Sequence, residues 1–465
     1  MPTPRKVNAA VLTLQLQAQG PMTAQVLAAV AGADRSRISR ALSTLGSSVI
    51  RLGVTRGARY ALRRTVRGLG HTFPIRRIDE RGGLRDWAEL TALHGGWRVV
   101  WASASRAPAW SERVLDLGGW SEGFPFFLGD VRPQGYLGRA VARRLPTALG
   151  LGLDPRSWGD DETLVFLAAE GDDLPGNLIV GDEPAGRFQA RRLIPVTGLA
   201  ELERTSLYPQ LVLASQVGGS AGSSVEGEQP KFTATLATSQ PEVGIRPVIV
   251  KFTDAMTSSV GRRWADLLVA EAHALEVLHG AGEVQTVPRV FDAGGRRFLE
   301  MERFDRFGSQ GRRGVASLRA LHEAFGTADT NDWTVAAAGL MERGLLTTET
   351  MRSIQLRHMF GSLIGNTDMH FGNLAFWLDD AVPFSLAPTY DMLPMLWAPG
   401  AGGELVPRAL SIRPPLPAQA AHWRIAAGWA RAFWALVADD SRVSQEFAVV
   451  AREAGRQVEQ ALGCF

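Results

Sequence analysis

Apolar residues recur at roughly helical spacing from the start of the chain. Val7, Val11, Leu12, Leu14 and Leu16 form a stripe over residues 7–18, which Gly20-Pro21 ends. Thr23 is placed to cap a second helix over 24–31, with Val26, Leu27 and Val30 facing inward. After Gly32, Asp34 or Ser36 opens a third helix through Leu45, with Ile38, Leu42 and Leu45 on one face. Residues 49–55 and 59–62, split by Arg56-Gly57, read as a β-hairpin. Three short helices and a hairpin predict a winged helix-turn-helix over residues 1–70.

Residues 71–215 are rich in Gly, Pro and Trp, with short apolar runs at 97–101 and 163–168. These suggest short strands with connecting helices, an α+β accessory subdomain. Residues 145–153 read as a loop or helix end, and Asp160-Asp161 and Asp172-Asp173 as solvated turns. Further on, 247–252 and 298–302 read as apolar strands and 264–278 as a helix.

Composition narrows the class. The chain has 465 residues, 45% hydrophobic and 21% charged, the profile of a globular protein of several domains. Its one cysteine, Cys464, excludes a disulfide framework or a thiolate metal cluster. The most apolar stretch, 420–438, is interrupted by Arg424 and Arg431, and the N-terminus lacks a signal-peptide core. A cytoplasmic setting without a membrane partner is the expectation.

The net charge of +3 is uneven: residues 1–70 carry +10 and the remaining 395 carry −7. A polyanion, double-stranded DNA, is therefore the expected partner of the first segment. Arg35, Arg37 and Arg40 on the third helix and Arg56 and Arg59 at the hairpin are its candidate contacts. A small helical interaction domain with solvated arginines is the plain alternative. Lysine occurs only at Lys6, Lys231 and Lys251. A chain that writes nearly every cation as arginine marks those positions as special.

Four features carry chemistry. Residues 218–233 form a Gly/Ser-rich run whose backbone could approach phosphate, although such runs also serve as linkers. Lys251 is embedded in the apolar strand 247–252, where its charge needs a partner; Glu271 on the following helix is the candidate. A strand Lys paired with a helix Glu holds phosphates in protein kinases. Strand 298–302 ends in a polar switch, so backbone near Glu302 and Phe304 could meet an adenine edge. The fourth is Gly365-Asn-Thr-Asp368-Met-His370-Phe-Gly-Asn373, followed by Ala387-Pro-Thr-Tyr-Asp391. An Asp followed five positions later by Asn repeats the spacing of a kinase catalytic loop, and Asp391 adds a second hard oxygen ligand for Mg²⁺. His370 has no Cys nearby and His358 is 12 positions away, so it reads as a histidine that orients the loop rather than a zinc ligand.

Together these residues resemble the HipA family of bacterial serine/threonine kinases, toxins of type II toxin–antitoxin systems. The resemblance spans roughly residues 75–465, and the helix-turn-helix in the same chain resembles the YjjJ-like branch. It implies an α+β, bilobal protein-kinase-like fold with an N-terminal winged helix-turn-helix. The boundaries are 1–70 for the DNA-binding domain, 71–215 for the accessory subdomain, 216–304 for the N-lobe and 305–465 for the helical C-lobe. It implies Asp368 as catalytic residue, Asn373 and Asp391 as Mg²⁺ ligands, and Ser224, with Ser223 beside it, as autophosphorylation site. Gly227, Gln229, Lys231, Lys251, Glu271, Glu302, Phe304 and His370 are the implied ATP-binding set. It further implies a protein substrate, an aminoacyl-tRNA synthetase by family precedent, growth arrest, and a possible antitoxin partner. Two other readings stand beside it: a DNA-binding regulator whose kinase fold only senses nucleotide or binds a partner, and a small-molecule kinase of the aminoglycoside or choline type.

Overall fold

The computed structural model describes residues 8–464 except 56, 104–106, 117, 134, 146–148, 217–228, 239–243, 327 and 401. At its start, helices Ala9–Gln19, Ala24–Ala31 and Arg35–Thr44 pack on a three-stranded antiparallel sheet of Met22–Thr23, Arg59–Leu62 and Val49–Leu52. Local side chains set each helix start: Asn8, Thr23 and Asp34 accept from the backbone N–H of Ala10, Val26 and Arg37. Leu12, Leu16, Leu27, Ile38 and Leu42 close the small core between them.

The next unit is a five-stranded antiparallel sheet. Its strands lie in the order Trp120–Ser121, Gly96–Trp101, Leu84–Leu93, Thr72–Ile78, Leu178–Val180. Residues 163–168, an apolar run read only as part of a mix of short strands and connecting helices, lie in the helix Asp160–Glu170. Thr163 to Leu167 are all buried, so their side chains show no polar face, and a wholly apolar run does not distinguish helix from strand. The acidic first turn, Asp160, Asp161 and Glu162, was the helix signal.

Those acids are not solvated turns. Asp160 pairs with Arg132, and Asp161 with Arg64 at 2.6 Å. Asp172 meets Arg187 at 2.9 Å and also Arg191, and Asp173 meets Arg306 at 3.0 Å. The Arg64 guanidinium also lies 4.7 Å over the Trp97 ring, and Arg59 lies 5.6 Å over Trp120. Part of the basic N-terminal surface is therefore spent on docking to the middle unit. Gly95, at φ +80°, shows how close that docking is: a Cβ there would fall 2.7 Å from the Gly20 Cα.

A four-stranded antiparallel sheet follows, ordered Arg289–Ala293, Arg296–Glu302, Ile245–Phe252, Lys231–Ala237. The helix Ser259–Gly280 packs on it, with Leu268 and Ala272 against Leu299. Three hydrogen bonds pin this helix to the C-terminal part of the chain. The Asp266 carboxylate accepts from Ser444 N and Oγ at 2.7 and 2.6 Å, and His273 Nε2 lies 2.8 Å from Asp440 Oδ2. The rest is mostly helical, with Phe360, Phe433 and Trp434 fully buried among the long helices Thr348–Leu363, Ala420–Asp439 and Gln445–Cys464. A two-stranded ribbon, Val315–Ser317 with Ala375–Trp377, lies at the cleft between sheet and helices. No helix among the described residues is long and apolar enough to cross a membrane.

Candidate active site

The cleft is built around two lysines. Lys231 and Lys251 are direct partners across neighbouring antiparallel strands, so their side chains leave the same face of the sheet. Both are 2% exposed. Burying two ammonium groups side by side is costly unless carboxylates answer them. Two do: Lys251 Nζ donates to Glu271 Oε1 and Oε2 at 2.5 and 2.7 Å and to Asp391 Oδ1 at 2.5 Å. Burial works against the lysine charge, but Asp391 and Glu271 outweigh it and hold the ammonium above its ordinary range. Asp391 is pulled down, because Lys251 and then Lys231 overcome the burial that opposes its charge. Glu271, wholly buried and close to a second carboxylate, is pushed up by burial despite the pull of Lys251.

Asp391 is held in an uncommon backbone state, φ +52°, which a short polar side chain tolerates better than most. Its carbonyl oxygen accepts from Asn366 Nδ2 at 3.3 Å. The preceding loop is organised by its own side chains. Asn366 Oδ1 accepts from Asp368 N at 3.0 Å, and Asn373 Nδ2 donates to the Asp368 carbonyl at 2.8 Å. That second bond assigns the amide nitrogen of Asn373 to the loop and leaves its Oδ1 as the donor oxygen. His370 Nδ1 accepts from Gly372 N at 3.0 Å, so it caps a turn of the loop. Trp333 Nε1 donates to the His370 carbonyl at 3.0 Å, and Tyr390 Oη to the Gly372 carbonyl at 2.5 Å. Asp368 itself is exposed, where a polar acceptor could reach it.

At the other end, Glu302 closes its strand, and Arg303 N donates to the Pro247 carbonyl at 3.0 Å. Phe304 stacks on Tyr390 with ring centres 5.8 Å apart and meets Trp377 edge-on at 5.7 Å. A cavity of about 340 Å³ runs between these groups, lined by Lys231, Lys251, Met301, Phe304 and Tyr390 among others. Its size is that of a small-molecule site.

Thus the structure gathers Lys231, Lys251, Glu271, Glu302, Phe304 and Asp391 on or behind one cavity, with Asp368, His370 and Asn373 on the adjoining loop. Gln229, two residues before Lys231, does not line the cavity; its Nε2 is buried and without a hydrogen bond among the described residues. Arg35, Arg37, Arg40 and Arg59 lie in the N-terminal unit instead. Ser223, Ser224, Gly227 and Arg56 lie outside the described residues. Two wall residues come from the middle unit and have no motif around them, Asp130 and Pro175. Behind the strand end, Asp305 accepts from Arg303 at 2.9 Å, Arg306 at 2.7 Å and Gly176 N at 2.9 Å. Those arginines overcome burial and hold Asp305 far below the usual carboxylate range.

No cluster of three or more His, Cys, Asp or Glu side chains placed to hold a metal occurs among the described residues. The Asn373 amide oxygen and the Asp391 carboxylate are hard donors of the kind Mg²⁺ takes while keeping several waters, so the residues fit that ion.

Residues 69–189 match the family described as YjjJ-like toxin, middle domain, and residues 223–462 match the HipA-like C-terminal domain. Toxin YjjJ of Escherichia coli (strain K12) is 35% identical over 446 residues, 95% of this chain and 96% of that one. A chain of the solved Shewanella oneidensis MR-1 toxin–antitoxin complex of HipA, HipB and operator DNA aligns with a TM-score of 0.53. It is 15% identical, and the match covers 84% of this chain and 97% of that chain. The two-lobed, protein-kinase-like architecture is therefore the HipA fold.

Proposed function

This chain belongs to the HipA-like toxins, in their YjjJ-like branch, and on that premise we propose that it is an ATP- and Mg²⁺-dependent protein serine/threonine kinase. The observation that carries the reading is the four-charge arrangement of Lys231, Lys251, Glu271 and Asp391 on a cavity beside the Asp368 loop. Lys251, oriented by Glu271, and Lys231 hold the phosphates, while the strand end at Glu302 and Phe304 meets the adenine. Asp368 orients the acceptor hydroxyl. The hydroxyl oxygen bonds the γ-phosphorus as its proton passes to the Asp368 carboxylate, and the bond to the β-phosphate oxygen breaks, releasing ADP. Bound through Asn373 and Asp391, Mg²⁺ would neutralise charge on the transferring group.

The target is a protein hydroxyl, an aminoacyl-tRNA synthetase on family precedent, and growth arrest is the consequence. Autophosphorylation at Ser224, or Ser223, would add about 1.5–2 negative charges to the phosphate loop and switch the enzyme off. Residues 1–70 bind double-stranded DNA through the exposed arginines of the Arg35–Thr44 helix, and an antitoxin is a further partner.

The test is intact mass before and after incubation with ATP and Mg²⁺, beside Asp368→Ala. The wild type gains one phosphate at Ser223 or Ser224 and the variant none. No gain in the wild type, together with no transfer of γ-phosphate to any protein of a cell extract, would leave the nucleotide-sensing DNA regulator as the better reading.

A further inference from the structure

We propose that Asp130, a residue of the middle unit, holds the ribose hydroxyls of the nucleotide and makes that unit a ribose-selecting wall of the cleft. This deepens the kinase reading and rests on it. Three observations converge on Asp130.

Its placement is rigid. The chain enters through Phe126 and Phe127, both buried, with Phe126 4.9 Å from the Trp110 ring and Phe127 5.1 Å from Trp87. The carboxylate then accepts from Ser317 N and Ser317 Oγ, both at 2.6 Å. Ser317 is itself fixed, because it caps the helix Leu318–Phe325. A cavity-lining carboxylate is thus tied to the ribbon at the cleft.

Its level along the cavity follows from the strand register. Val315 pairs with Trp377, on which Phe304 of the adenine end packs; Ser317 pairs with Ala375, two residues after Asn373. Two strand residues span about 6.6 Å. Asp130 is anchored that much closer to the Asn373 end than the ring contact of Phe304. A purine and its ribose hydroxyls are separated by a similar length.

Its chemistry excludes the phosphates of the ligand. A carboxylate repels phosphate, which the two lysines of the same cavity attract. It accepts strongly from hydroxyl donors, the way acidic residues hold ribose in dinucleotide sites. Pro175, from the same unit, adds an apolar stretch of this wall.

The experiment compares binding of ATP and 2′,3′-dideoxy-ATP by titration calorimetry, on full-length wild type and Asp130→Asn. We expect the wild type to prefer ATP about tenfold, the worth of a hydrogen bond to a charged group. In Asp130→Asn that preference shrinks to about onefold, with dideoxy-ATP affinity unchanged. An undiminished preference in the variant overturns the inference. So does an equal loss for both nucleotides, which would mean that Asp130 acts only by bracing Ser317. A wild type that binds neither nucleotide overturns the kinase reading, and this inference with it.

Discussion

The arginines of the Arg35–Thr44 helix stand at the surface, where Arg37, half-buried, pairs with Asp34 at 3.1 Å. Arg35 reaches Gln25 at 2.7 Å, and Arg40 reaches Ser36 on its own helix at 3.4 Å. Lys231 and Lys251 stand in the opposite condition, each 2% exposed and paired across two strands. On the helix, charge costs little and is balanced by solvent, so it is available at long range to a polyanion. In the cleft, charge is kept only because Glu271 and Asp391 answer it, so any anion that enters joins an arrangement already tuned. One protein therefore uses positive charge as a surface field in one region and as part of a packed core in another.

Three changes probe that contrast. The largest effect belongs to Lys251→Ala, which strands Glu271 and Asp391 and should cost about 3–5 kcal/mol of stability in urea unfolding. Equal stability with lost nucleotide binding would make the cleft charge as dispensable to folding as the helix charge. Next, Arg35→Ala, Arg37→Ala and Arg40→Ala together should move stability by under about 0.5 kcal/mol. The slope of log DNA affinity against log salt should become shallower by about 0.9 for each phosphate contact removed. A large loss of stability there would erase the contrast from the other side. Between these two on the stability scale falls Arg64→Ala, about 1 kcal/mol from a partly exposed ion pair and a ring contact, read by chemical denaturation. Arg64 is the intermediate case, an N-terminal cation turned inward onto Asp161.

What the sequence made legible is what local chemistry decides. The second helix has the bounds and the Thr23 cap that spacing predicts, and the hairpin strands flank Arg56-Gly57 as expected. The embedded lysine finds Glu271, since a buried ammonium on a strand has few partners other than the helix that follows. Long-range partners were hidden. Asp161 and Asp173 read as solvated because Arg64 and Arg306 lie 97 and 133 residues away. Asp130 carried no signal, as its contact with Ser317 spans 187 residues and depends on two separate units meeting. The 163–168 run stayed open between strand and helix for a different reason: burial on every side removes the periodicity that would name its structure.

The wall contributed by Asp130 and Pro175 also bears on time as well as on shape. Folded units open locally at rates of their own, each with its own free energy. Because the middle unit lines the cavity, each of its openings removes a side of the container and gives the occupant an exit. How long a molecule stays in the cleft is thereby set in part by a unit that carries none of the chemistry.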